Sequence, residues 1–274
     1  MARNVTATRT TMDVRGDVIV RGATQQMRTD RVLAMLSPLL VLFAWEALVR
    51  TGRLSALFFP PPTLVFRTIA AMTLTGELPA EVWVSLRRVL LGFVLGAVPG
   101  VGLGLAMGWS RRLRAFVEPM VAATYPIPKI ALLPMIMLIF GIGEASKIVI
   151  VAVGAFYPTA LNAIAGVLAI RPTYFEVARN FGASRWKTFT RVVLPGSLPI
   201  LFVGLRLAFG IALLLVVAAE FVAAREGVGA MIWLSWQTLR TEKLYAGIVA
   251  WAALGLASTA ILQALERRIV RWGR

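Results

Sequence analysis

Apolar and polar residues fall along this chain in long blocks. Six mostly apolar segments, at roughly 32–49, 86–108, 115–141, 146–170, 196–221 and 244–265, are separated by shorter stretches rich in charged residues, Gly and Pro. Apolar runs near or beyond ~18 residues with few charges are long enough to cross hydrocarbon as helices. A helix pairs all of its backbone polar groups internally, which a lipid environment demands. The pattern therefore predicts an all-α, polytopic membrane protein with about six transmembrane helices. Two places depart from plain rods. The third segment contains Pro119, Pro126, Pro128 and Pro134, which cannot share one straight helix, so a break is expected at Tyr125-Pro126-Ile127-Pro128. Between the first two segments, Phe58-Phe59-Pro60-Pro61-Pro62 opens a loop, and residues 63–74 have the pattern of a short amphipathic helix lying at the interface.

Composition agrees with this reading. Of 274 residues, 58% are hydrophobic, above the share usual in soluble domains. The formal net charge of +16 would point to nucleic acid in a soluble protein. Here its distribution matters more, because Lys and Arg collect on cytoplasmic loops. With both termini inside, most of the 29 basic residues fall on the inner side. The tail before the first segment, the loop at Arg111, Arg112 and Arg114, the loop from Arg171 to Arg191 and the C-terminal Arg267, Arg268, Arg271 and Arg274 hold them. No nucleic-acid partner is needed. Arg87 and Arg88 run against the rule at the outer end of the second segment, and snorkelling to the interface is the expected explanation. Residues 1–30 lack the apolar core of a signal peptide and read as a disordered cytoplasmic tail, leaving 31–274 as the membrane domain.

Chemistry is limited by what is missing. The chain has no Cys and no His, which excludes disulfides, thiolate metal sites and His-based triads. Lysines 129, 147, 187 and 243 follow Pro, Ser, Trp and Glu, so no G-x-x-x-x-G-K-[ST] phosphate cradle exists. No catalytic residue, metal or cofactor is expected on this chain. Gly92, Gly96, Gly100, Gly104 and Gly108 recur every four residues in the second segment. Such a stripe lets another helix approach closely; a smooth wall along a substrate path is the alternative.

Between the fourth and fifth apolar segments lies a polar stretch with helix-forming character. Pro172 suits a first helical turn. Glu176, Ala178, Gly182-Ala183-Ser184, Phe189 and Leu194-Pro195 follow. This pattern resembles the EAA loop of bacterial ABC-importer permeases, with Val177 where Ala is usual. Further blocks resemble the nitrate/sulfonate/taurine/bicarbonate branch of that family. They include Phe59-Pro60-Pro61-Pro62-Thr63, Ser85-Leu86-Arg87-Arg88-Val89, Phe140-Gly141-Ile142-Gly143-Glu144, Ala219-Glu220-Phe221 and Gly227-Val228-Gly229. The resemblance covers roughly 55–270.

It implies a type I importer-like permease with a cytoplasmic coupling helix at about 172–189, in a bacterial inner membrane. The transported solute would be a small anion (sulfonate, taurine, nitrate or bicarbonate). The implied partners are a cytoplasmic ATPase dimer that holds the ATP and Mg, an extracytoplasmic binding protein, the lipid bilayer and a second permease copy, usually identical. Glu176, Ala178, Gly182, Ala183, Ser184, Leu194 and Pro195 would couple to the ATPase, with Glu176 near a helix N-terminus and Gly182 at a turn or close approach. A stand-alone secondary transporter or channel is the alternative.

Charges inside membrane segments are costly and tend to be paired or functional. Arg206 and Glu220 lie fourteen residues apart on the fifth segment, roughly 21 Å along a helix, too far to pair with each other. Arg206 is a candidate for anion contact or for capping a neighbouring helix carbonyl, Lys129 is a second candidate for anion contact, and Glu220 is one for the pathway or for bracing the outer loop or gate. Glu46 and Glu118 are similar cases.

Overall fold

The computed structural model describes residues 33 and 36–271. The proposed tail, residues 1–30, lies outside the described residues. Helix α1 covers 36–50, and the elements after it are α2 Pro62–Leu74, α3 Glu77–Trp109, α4 Arg111–Thr124, a 3-10 turn Lys129–Leu132, α5 Leu133–Phe140, α6 Glu144–Leu168, α7 Pro172–Asn180, α8 Arg185–Thr188, a π turn Phe189–Val193, α9 Leu194–Ala223, α10 Val228–Gln237 and α11 Thr241–Ile269. No strand occurs among the described residues. The chain divides into two compact units, ending and beginning at Leu64 and Val65.

In the first unit, Glu46 sits near the end of α1. Its carboxylate accepts hydrogen bonds from Arg50 Nε (2.7 Å) and from the backbone N (3.1 Å) and hydroxyl (2.9 Å) of Thr63. Thr63 lies at the start of α2, where amides lack helical partners and negative charge is favoured. The acid in the first apolar segment is therefore a cap for the next helix.

In the second unit, four helical stretches are long and apolar enough to cross a membrane: Glu77–Trp109, Glu144–Leu168, Arg185–Ala223 and Thr241–Ile269. A fifth exists if α4 and Lys129–Phe140 form one span, bent by 86°. The expected count of six is thus four or five among the described residues, the first segment being only partly described. The bend falls at the expected Tyr125–Pro128 break. Lys129 closes it: Nζ donates to the carbonyl oxygens of Thr124 (3.0 Å), Tyr125 (2.8 Å) and Ile127 (2.9 Å). The same ammonium sits 4.1 Å from the centroid of the Tyr157 ring, a favourable cation–π position.

The glycine stripe of α3 packs on α6. A Cβ at Gly92 would stand 2.6 Å from Val151 Cβ, at Gly100 2.7 Å from the Phe156 carbonyl oxygen and at Gly108 2.5 Å from Val167 Cβ. At Gly96 and Gly104 it would run into the carbonyl oxygens of Ala152 and Ala160. All five positions meet one helix, so the stripe is a packing seam. Gly102, off the stripe, has nothing within 4 Å. α9 covers the other side of α6, where Gly166 faces Ser197 and Gly204 faces Asn162. Val89, Ile150, Val151, Ala212, Val216 and Ala219 fill the core among these three helices.

Candidate functional site

The polar stretch at 172–188, expected as one helix to about 189, folds as two. Pro172 occupies the first turn of α7, where its missing N–H costs nothing. α7 closes with a paired C-terminal motif: Gly182 N donates to the Arg179 carbonyl oxygen (2.9 Å) and Ala183 N to that of Ala178 (2.9 Å). This is the Schellman arrangement, which requires a left-handed residue just past the helix. Gly182 supplies it with φ +66°, and nothing lies within 4 Å of a Cβ built there. The glycine is needed for the turn, not for a close approach. Two residues on, Ser184 begins α8, its Oγ accepting from Lys187 N (3.3 Å). The Gly182-Ala183-Ser184 triplet thus ends one helix and starts the next. Glu176 stands in the second turn of α7, whose first turn has no acid, so little of the helix-terminus attraction expected for it reaches this far.

α8 runs without interruption into the membrane segment through the π turn. Leu194 N reaches back five residues to the Phe189 carbonyl oxygen. Pro195 follows, and in a regular helix its ring would collide with the carbonyl four residues earlier; a π turn is one way to relieve such a site. The Leu194-Pro195 pair therefore marks the joint between α8 and α9.

The segment is tied to the bundle by aromatics. Trp109, at the end of α3, lies 6.2 Å (ring centroids) from both Phe175 and Phe189. Leu105, Ala163, Val167, Val193 and Leu201 pack beneath them. Away from this contact Tyr174, Val177, Phe181 and Trp186 are exposed, Phe181 at 86%, with Trp186 stacked on Phe189 (6.0 Å). Large apolar side chains on a polar helical segment form a surface suited to a protein groove.

A second constellation lies where α3, α6 and α9 meet the 224–229 loop. The side chains of Arg88 and Glu220 expose only 3% and 0%. Glu220 accepts from Arg88 Nη1 (2.6 Å), Ser85 Oγ (2.7 Å) and Gly229 N (2.8 Å). Arg88 Nε and Nη2 grip Glu144, and its Nη1 also reaches the Glu226 carbonyl oxygen (2.7 Å). Ser85 Oγ accepts from Val228 N (2.8 Å), and Glu81 accepts from Gly227 N. The first amides of α10 are thereby capped by side chains of other helices. Gly227 (φ +112°) and Gly229 permit it: a Cβ at Gly227 would stand 2.5 Å from Glu220 Oε1, and at Gly229 2.7 Å from Glu220 Cβ.

The family described as binding-protein-dependent transport system inner membrane component matches residues 100–271. The chain belongs to that family. A putative aliphatic sulfonates transport permease of Bacillus subtilis is 33% identical over 253 residues, 92% of each chain. The taurine transport permease of Escherichia coli is 34% identical, covering 85% of this chain and 86% of that one. A riboflavin transport permease of Chloroflexus aurantiacus is 32% identical, covering 85% and 87%. A chain of the inward-facing MetNI methionine ABC transporter shares the fold, with TM-score 0.55, 22% identity, and 70% of this chain and 93% of that chain covered.

In this importer permease the motif residues Ala178, Gly182, Ala183, Ser184, Leu194 and Pro195 come together as one helix–turn–helix joint, with Glu176 on its exposed side. The charged candidates do not converge. Arg206 pairs with Glu266 of α11, Lys129 closes the break at 125–128, and Glu220 holds Arg88. Arg88 does not snorkel: it is 2% exposed, whereas its neighbour Arg87 is exposed and lies 3.4 Å from Glu144. Sequence reasoning missed Trp109 as the anchor of the segment. It also missed Ser85, Glu144 and Gly227 as parts of the buried network.

Proposed function

We propose that this chain is the membrane-spanning subunit of an ATP-driven importer for a small organic anion of the sulfonate or taurine type, working as a pair of identical copies. An extracytoplasmic binding protein delivers the solute and a cytoplasmic ATPase pair hydrolyses ATP with Mg. Both termini lie on the cytoplasmic side of the inner membrane. The 172–188 segment is the part that enters the ATPase. One observation carries this: the segment exposes Val177, Phe181 and Trp186 while being continuous with α9 and clasped to α3 through Trp109. A helix seated in a groove with such rigid connections passes motion of the ATPase into the spans, as alternating access requires.

The solute class is supported by the sulfonate and taurine relatives. The riboflavin permease at similar identity fits a reading in which selectivity resides in the binding protein. A passing anion would have to compete with Glu266 for Arg206 and with three carbonyls for Lys129.

The test is co-purification of the full-length permease with the ATPase encoded beside it. Wild type retains the ATPase; Glu176→Ala weakens retention, and Gly182→Arg, which strains the αL turn, abolishes it, both without loss of the folded permease. Full retention in both variants overturns the docking assignment. Absence of any ATPase with wild type overturns the importer reading.

A further inference from the structure

A cleft of about 520 Å³ opens where α6 ends, between α7 and the start of α9. Its lining includes the basic Arg171 and Arg191 and the largely apolar Ile170, Tyr174, Val192 and Pro195. We propose that this cleft binds the headgroup of an anionic phospholipid.

Four features point there. The cleft lies where one apolar span ends (Leu168) and beside the first turns of the next apolar stretch, Arg185–Ala223, and headgroups meet membrane helices near their ends. Neither Arg171 nor Arg191 has an ion pair or side-chain hydrogen bond among the described residues. Two free guanidinium groups suit a phosphate diester, which the planar fork grips in a bidentate way. Basic pockets between membrane helices are a recurring form of headgroup recognition. The apolar half is shaped as well: Gly196 leaves room for Ile170, whose Cδ1 would stand 2.9 Å from a Cβ placed there.

The fourth feature separates a lipid from a soluble phosphate. Arg191, Pro195 and Pro199 all line the cleft at intervals of four residues. Val203, 41% exposed, is next along the same ridge of α9, which turns by about 40° with each four-residue step. A cationic cleft at one end of an exposed apolar stripe matches a molecule with a phosphate head and an acyl tail. A soluble anion would make no use of the stripe.

Native mass spectrometry of the full-length permease, purified in detergent with added phosphatidylglycerol or phosphatidylcholine, tests this. Wild type retains phosphatidylglycerol and not phosphatidylcholine. Arg171→Gln/Arg191→Gln retains less by about tenfold or more. Arg267→Gln/Arg268→Gln, which removes the same charge elsewhere, behaves as wild type. Gly182→Arg, which breaks ATPase docking, leaves lipid retention unchanged, so the two assignments fail separately. The proposal is overturned if the cleft variant holds phosphatidylglycerol as wild type does, or if the C-terminal variant loses as much. It is also overturned if wild type retains none because a second copy covers the stripe, or if millimolar inorganic phosphate stabilises the lipid-free protein as fully as the lipid.

Discussion

Replacing Arg88 by methionine removes the cation from the buried network while keeping most of the side-chain volume. The partner left behind is Glu220, with no exposed side-chain surface. Breaking a buried ion pair from one side costs about 3–5 kcal/mol, because the remaining charge stays out of water. Glu220 keeps Ser85 Oγ at 2.7 Å and Gly229 N at 2.8 Å, which places the expected loss near the bottom of that range, about 3 kcal/mol. Glu144 contributes little to the penalty, since its side chain is 44% exposed and can be hydrated. For a chain of this size a loss of about 3 kcal/mol lowers the melting temperature by roughly 6–12 °C. Tryptophan fluorescence during heating in detergent reads it, the chain having eight Trp. The double variant Arg88→Met/Glu220→Gln removes both charges and recovers part of the loss, with a coupling of about 1–3 kcal/mol. The reasoning fails if Arg88→Met melts with wild type, or if the double variant loses the sum of the two single losses.

Two further outcomes follow from the same geometry. Gly227→Ala places a Cβ at φ +112° and 2.5 Å from the Glu220 carboxylate, so a loss of about 1–3 kcal/mol or more is expected; Gly143→Ala, with nothing within 4 Å, is the control, and equal melting of the two refutes the assignment. Lys129→Met strips the cationic donor from three carbonyls at the break, at a cost of about 1–3 kcal/mol. Hydrogen exchange measured by mass spectrometry should rise at 124–132 and stay constant in α6, and no local rise would contradict the clamp.

The chain's own pattern made the spans, the broken third segment and the packing seam legible, because each rests on local rules: run length, proline and a four-residue repeat. The helix–turn–helix joint at 172–195 was legible as a motif, though not as two helices. Its division depends on a single left-handed residue, Gly182. The buried network was not legible. Arg88 and Glu220 are 132 positions apart, and nothing local tells a paired arginine from a snorkelling one. Trp109 was hidden for the opposite reason: an aromatic at the end of an apolar run is the usual membrane-interface residue, so its contact with Phe175 and Phe189 carried no signal of its own.

These two kinds of feature are joined by one helix. The stretch from Arg185 to Ala223 is continuous over 39 residues, roughly 58 Å at the usual rise. At one end it is the exposed joint with α7, and near the other it carries Glu220. Its contact with α6 is lined by glycines, and α6 meets α3 through another glycine seam. Close-packed seams of that kind transmit displacement with little slack, since side chains cannot yield where there are none. A force applied at Trp186 therefore reaches Glu220 through backbone, and reaches Arg88 through a buried pair that cannot separate without leaving a charge stranded. That pair holds the loop leading into α10. The chain thus connects the exposed 172–188 segment with the opposite end of the bundle by continuous, close-packed elements, and a displacement of that segment is either absorbed or passed on at the Glu220 network.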